Sequence, residues 1–318
     1  MLIALTGMRG KFVRLLTTAI VLITTSAITA APRKPPPAPA ANRAPGQHNQ
    51  QLRTQVLLDR AHFSPGEIDG LPGRVTRTAL EDCRRAGCSL DQASVPTLIP
   101  YTITADDVRG PFEKIPDDLM EQATLEHLGY ASPIEGLGEK FHASPKLLHR
   151  LNPRVDFSTA GGTIQVPNVH QENVHQEPSA PHAASVVVSK SRLTVQALDD
   201  ARNVIADYPA TVGSVHDPLP IGKWKVVHVT WNPVFYYNPD LFWDAPSADT
   251  KATIQPGPNN PVGVVWIGLT KEHYGIHGTP EPSLIGHVQS HGCIRLTNWD
   301  AAELAGMVGP GTAVIFEE

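Results

Sequence analysis

A chain of 318 residues with 41% apolar side chains holds enough material for two or three domains and at least one sizeable core, which excludes a fibrous or wholly disordered protein. Its 26 basic and 31 acidic residues give a formal charge of −5, which argues against nucleic acid as a partner, because phosphate binding needs a basic surface. The 30 prolines gather at positions 32–45 and near 178, which predicts spacers and domains strung out along the chain.

Residues 1–31 open with Arg9, Lys11 and Arg14, continue with an apolar run from Leu15 to Ile23, and end in small residues at Ala30 and Ala31. That is the layout of a secretory signal peptide, and it predicts export to the periplasm as a soluble or wall-associated protein. The run is too short and too rich in threonine for the roughly 20 apolar residues that span a bilayer. Lipid attachment is disfavoured as well, because the first cysteine is Cys83. Cleavage would remove three basic residues and no acidic one, leaving a charge of −8. Residues 32–50 lack apolar periodicity and read as a proline-rich linker.

Between 51 and 95, Val56, Leu57 and Leu58 predict a first helix, Ser64-Pro65-Gly66 a turn, and Thr76 to Arg85 a second helix stopped by Gly87. Phe63, Pro65, Gly66, Asp69 and Gly70, followed by Gly73, Thr76 and Ala79, resemble the pattern of a small three-helix peptidoglycan-binding domain. Here His62 stands where glycine is usual and Cys83 where an aromatic is common. Further on, a strand at Tyr101, a helix near Asp117 to Leu128, a helix ending at Leu151-Asn152-Pro153 and a strand from Thr163 to Val166 are expected. The first strand, the helix ending at Leu151 and the closing strand resemble a LysM module over 101–169, with 105–136 as an insertion. Residues 170–183 are polar and repetitive, and their histidines read as a solvated linker rather than a metal tract.

From 184 to 318 the pattern turns to strands. "SVVVSKSRLTVQAL" predicts two strands joined at Ser189 to Arg192, "KWKVVHVTW" a further strand, and "VGVVWIGL" a fully buried one. The aromatic segment 231–243, broken by prolines and asparagines, reads as a partly exposed flap. Thr297 or Asn298 caps a helix from Asp300 to Met307, and a last strand runs from Thr312 to Phe316. This domain is therefore expected to be mainly β, with His277 and Cys293 in loops beside buried strands.

Three cysteines leave one over if two pair. Cys83 and Cys88 either form a disulfide or are two buried small hydrophobes. Cys293, with His277 sixteen residues before it and His291 two before it, admits a zinc site, an unpaired disulfide partner or an activated thiol. Zinc lacks a CxxC pair, and His273 and His287 have no ligand-like spacing. A thiol near its ordinary pKa of about 8.5 is only a few per cent ionised at neutral pH, so nucleophilicity requires a base or cation beside it. Imidazole serves that need and can return the proton to a leaving amine. Gly292 lets the backbone approach closely, placing the N–H groups of Gly292 and Cys293 at a developing oxyanion. Metal and organic cofactors have no part in this chemistry.

His277-Gly278-Thr279, followed by Ser290-His291-Gly292-Cys293-Ile294-Arg295-Leu296, resembles the signature of L,D-transpeptidases with the YkuD-type catalytic domain. "LPIGKWKV", "PGPNNPVGVVWIGL" and "TNWDAAELAGMV" extend the resemblance over 184–318. It implies a multidomain protein ending in a YkuD-like β-sandwich, with Cys293 as nucleophile and His277 as proton carrier. The imidazole would be oriented by a carbonyl near Gly278. Arg295 replaces the asparagine common among relatives and either holds a substrate carboxylate or forms a structural salt bridge. Ser290 bonds within its loop or touches substrate, and His291 lines the oxyanion region or shapes the turn. The implied substrates are peptidoglycan stem peptides, with another stem's diaminopimelate, an envelope lipoprotein or outer-membrane protein, or water as acyl acceptor. An L,D-carboxypeptidase and a catalytically silent wall-binding protein are the alternatives.

Overall fold

The structure, a computed structural model, describes residues 45–90, 94–169 and 182–318; the expected signal peptide, most of the 32–50 linker and nearly all of the 170–183 linker lie outside them. Helix α1 (Pro45–Arg60) and helix α2 (Arg74–Arg85) flank the Phe63 to Gly70 segment. Gln55 in α1, buried on all sides, accepts from the Gly70 N–H at 2.7 Å and donates to Asp69 at 2.9 Å, which explains the Asp-Gly pair. At the end of α2, Cys88 N–H donates to Cys83 O, and a disulfide joins the two residues across a Cα separation of 5.0 Å. The described part of this segment holds two helices rather than three.

Strand β1 (Leu98–Thr102) and strand β2 (Thr163–Pro167) pair antiparallel, with Leu98 opposite Pro167. Between them lie α3 (Leu119–Gln122), α4 (Pro133–Lys140) and α5 (Pro145–Leu151). The helix expected near 117–128 is a single turn. Asp118 caps it, and beyond Leu125 the chain leaves to pair with residues 256–259, where Leu128 N–H donates to Pro256 O at 3.1 Å. Ahead of Leu151 the chain forms two helices because Ser144 caps a fresh start at Pro145, after His142 has turned to positive φ. Leu52 and Val56 of α1 share one core with Phe141, Leu147, Leu148, Ile164 and Val166. The described residues form one compact unit, so the domains are not strung out as the proline clusters suggested.

The remainder contributes β3 (Ser185–Ser189), β4 (Thr194–Leu198), β5 (Val204–Pro209), β6 (Thr211–Val212), β7 (Gly222–Trp231), β8 (Phe235–Tyr237), β9 (Ala252–Ile254), β10 (Val265–Leu269), β11 (Gly275–His277), β12 (Ile294–Arg295), α6 (Asn298–Met307) and β13 (Ala313–Glu317). Nine of these strands form one sheet in the order β5-β4-β3-β13-β7-β10-β11-β12-β6. The long β7 pairs with β13 through its first half and with β10 through its second, so it belongs to both ends of the sheet. Only Ala210 separates β5 from β6, the two outermost strands, so the sheet folds over to bring its edges together. Val186, Val188, Tyr208, Ile267, Ile276, Ile294, Leu304 and Phe316 fill the core. Thr297 Oγ accepts from Asp300 N–H at 3.1 Å and starts α6, whose buried face packs on β10 and β11.

Strands β8 and β9 form a hairpin whose first strand lies in the 231–243 segment, and the 105–136 segment packs against it. Leu119, Met120 and Leu128 pack on Phe235, Tyr237 and Ile254, and Asn259 donates to Gly129 O and to Glu135. The N-terminal body also grips the nine-stranded sheet through Arg192 on Asp82 (2.5 and 2.6 Å) and Ser64 on Asp300 (2.9 Å).

Candidate active site

Strands β11 and β12 run parallel, with Ile276 beside Ile294 and His277 beside Arg295. Side chains alternate along a strand, so burying both isoleucines in the core turns His277 and Arg295 together to the outer face. Cys293 immediately precedes β12, in the bend that leads into Ile294. Trp266 of β10 sits opposite His277, and its ring stacks on the imidazole at 5.4 Å and 20°.

His277 is only 3% exposed. Its Nδ1 lies 2.7 Å from Gly278 O, which can only accept, so Nδ1 carries the proton and Nε2 is left with its lone pair. Burial, reinforced by the Arg295 charge, pushes the imidazole pKa down to about 3. Burial raises the Cys293 thiol above its ordinary value, outweighing the Gly275 N–H and Arg295, which favour the thiolate. The thiol donates to His273 O at 3.6 Å. The resting pair is thus thiol and neutral imidazole. A sulfur already ionised by its histidine, as the spacing suggested, is not what this pocket favours, because it penalises both charges and sets a guanidinium beside the ring.

The remaining expected residues fall into distinct places. Gly292 has φ of +100°, and a Cβ there would lie 3.0 Å from the Tyr274 hydroxyl oxygen, so the turn before Cys293 needs glycine on both counts. Ser290 donates from Oγ to Cys293 O at 2.7 Å and from its N–H to Gly213 O at 3.0 Å; it braces the loop. His291 points to the loop between β8 and β9, where Nε2 bonds Asp244 at 2.8 Å and the ring meets Phe242 edge-on at 5.2 Å. Beside it, Trp243 stacks on His216 at 4.2 Å. Gly278 presses against the side chain of Asn298. Arg295 makes no ion pair among the described residues, and its buried Nε has no hydrogen-bond partner. Cys83 and Cys88 lie in the separate core of Leu58, Phe63 and Ala79.

Trp266, Tyr274 and Asp244 belong to no motif in the sequence, and Asn298 reads there only as a helix cap. Trp266 carries a signal, as an aromatic out of phase with the buried positions of β10. The other three depend on contacts between distant segments.

The YkuD family, described as the L,D-transpeptidase catalytic domain, matches residues 183–316. YkuD of Bacillus licheniformis is 29% identical over 183 residues, covering 57% of this chain and 91% of that protein. YqjB of Bacillus subtilis is 30% identical over 148 residues, covering 45% and 76%. Both carry the L,D-transpeptidase name. Among solved structures, an L,D-transpeptidase from Mycobacterium smegmatis aligns at 22% identity over 42% of this chain and 58% of that one, with a TM-score of 0.34. The matched span contains β3 to β13, His277 and Cys293, and with it the chain belongs to the L,D-transpeptidase family with the YkuD catalytic domain.

Proposed function

We propose that the chain is a periplasmic peptidoglycan L,D-transpeptidase that works through a thioester on Cys293. Sγ attacks the carbonyl that joins the L-centre of a tetrapeptide stem to D-Ala, and the thiol proton passes to Nε2 of His277. The C–N bond breaks, D-Ala leaves with the proton from Nε2, and the acyl group stays on sulfur. An acceptor amine then attacks the thioester, its proton travels by Nε2 to Sγ, and the new amide departs. The Gly278 carbonyl stabilises the imidazolium that forms in each half, because Nδ1–H already points at it. Backbone N–H groups of Gly292 and Cys293 receive the oxyanion.

The observation that carries this reading is a buried imidazole whose Nδ1–H is held by the Gly278 carbonyl, on a strand paired with the one that Cys293 immediately precedes. Arg295 adds an uncommitted guanidinium beside His277, suited to a stem-peptide carboxylate. The Cys83–Cys88 disulfide supports an oxidising compartment. Residues 51–95 serve as a peptidoglycan-binding-like domain and 101–169 as a LysM-like module, a reading supported by the Gln55-held Asp-Gly turn and by the β1-α4-α5-β2 order. Diaminopimelate of a second stem or a lysine of an envelope lipoprotein or outer-membrane protein supplies the amine.

Incubating the protein with disaccharide-tetrapeptide and reading products by mass spectrometry tests the reaction. D-Ala release with dimer formation, lost in C293A, is the expected result. Tripeptide alone reveals water as acceptor, and full turnover by C293A refutes the thioester.

A further inference from the structure

Asn298 opens α6, yet its side chain does not cap that helix, because Thr297 already accepts from the Asp300 N–H. At 2% exposure it is instead tied to other segments. Oδ1 accepts from Val264 N–H at 3.2 Å, and Nδ2 donates to Pro258 O at 3.1 Å. The amide also lies directly beneath the residue that follows the histidine. A Cβ at Gly278 would stand 2.1 Å from Oδ1, far inside contact distance, so glycine and amide fit only as a pair. Gly278 is further held by its N–H on Val265 O, and His277 O accepts from Leu296 N–H. What the amide fixes is therefore the placement of the Gly278 peptide, whose carbonyl receives His277 Nδ1–H.

We propose that Asn298 is a positioning residue for His277. The contacts run from Asn298 to Gly278 to the imidazole. The inference rests on His277 acting as base to Cys293. A misplacement of about 1 Å in such a support costs on the order of a hundredfold in rate.

The test uses the full chain with two readouts: turnover of disaccharide-tetrapeptide, and the pH dependence of Cys293 alkylation by iodoacetamide. N298A lowers kcat about a hundredfold with KM unchanged, and its alkylation profile moves onto that of H277A. Should N298A not fold, the isosteric N298D, which keeps Oδ1 and loses only the Nδ2 donor to Pro258 O, decides by the same two readouts. A folded N298A or N298D with full kcat and an unshifted alkylation profile overturns the proposal. Failure of the transpeptidase reading would be seen separately, as wild-type protein that releases no D-Ala, while the alkylation profiles still report on the support of His277.

Discussion

His277 Nδ1 and Gly278 O stand 2.7 Å apart, and this bond decides which end of the ring can act as base. With Nδ1 protonated, Nε2 is free, and burial, which lowers the ring to about 3, leaves it unprotonated at neutral pH. Because the thiol is raised rather than lowered, iodoacetamide should alkylate Cys293 slowly at neutral pH, with a single limb climbing above the ordinary thiol range. A plateau of fast alkylation from pH 5 to 8 would instead reveal a standing thiolate–imidazolium pair.

Arg295 acts on both partners with the same sign of charge. It disfavours the imidazolium of His277 and favours the thiolate of Cys293. Replacing it in R295M therefore moves both upward: the His277 titration returns toward the usual imidazole range, and the alkylation limb shifts to still higher pH. Imidazole NMR and alkylation kinetics read the two shifts separately. R295K should preserve both directions while weakening any bidentate hold on a carboxylate, seen as a higher KM. An unmoved alkylation limb in R295M contradicts this coupling.

Local signals made much of this fold legible and left particular parts dark. Strands β3, β4, β7, β10 and β13 show in apolar alternation or in a continuous buried run, and α6 shows through Thr297. Strands β6, β11 and β12 are two or three residues long, too short for any periodicity, and exist because neighbours pair with them. The histidine and cysteine stood out by residue type and by their resemblance to a known signature. Their electrostatic state did not, because it depends on how deeply the face is covered and on Arg295 meeting His277 across β11 and β12. Nor did the docking of the N-terminal body, since proline clusters report on linkers and carry no information about what later packs together. Asn298 reads as a helix cap in the sequence, and only the claim of Thr297 on that role frees it for another.

The disulfide closes a loop of six residues at the end of α2. Chain-entropy reasoning gives such a loop about 2 kcal/mol. The double variant C83A/C88A should melt roughly 5 °C lower and keep kcat and KM. The bond sits in the core of Phe63 and Ala79, away from the face that bears His277. Loss of turnover in a variant that still melts cooperatively would place the disulfide in the catalytic apparatus.

Asn259 ties the β8–β9 hairpin to the segment packed against it. Its Nδ2 donates to Gly129 O at 2.9 Å and to Glu135 at 2.7 Å, and its N–H donates to Leu128 O at 3.0 Å. N259A removes two side-chain bonds from partly buried acceptors, a cost of about 0.5–1.5 kcal/mol each. Hydrogen exchange should quicken in Phe235–Tyr237 and Ala252–Ile254, and KM should rise more than kcat falls. Unchanged exchange in the hairpin would show that the apolar contacts of Leu128 and Ile254 hold it unaided.

The pH dependence of stability follows from groups at the seam between the N-terminal body and the sheet. Burial lifts Asp300 to about 8 and Asp207 and Glu139 to about 7. Around Asp300, Ser64 and Thr297 hydrogen-bond the carboxyl, with Glu303 and His142 facing it. A carboxyl raised on folding keeps its proton where the unfolded chain has released it. Its stabilisation is whole below about pH 4 and fades as pH climbs through the folded value. His277 works in the opposite sense: the unfolded ring takes a proton below about 6.5 and the folded ring only near 3, so its contribution fades as pH falls through that window. Three carboxyls outweigh one imidazole, and the melting temperature at pH 5 should exceed that at pH 8. D300N carries no titrating group at this position, so it should narrow the difference chiefly by gaining at pH 8. A wild-type protein more stable at pH 8 than at pH 5 would mean that these carboxyls are hydrated in solution and that the seam is looser than its contacts imply.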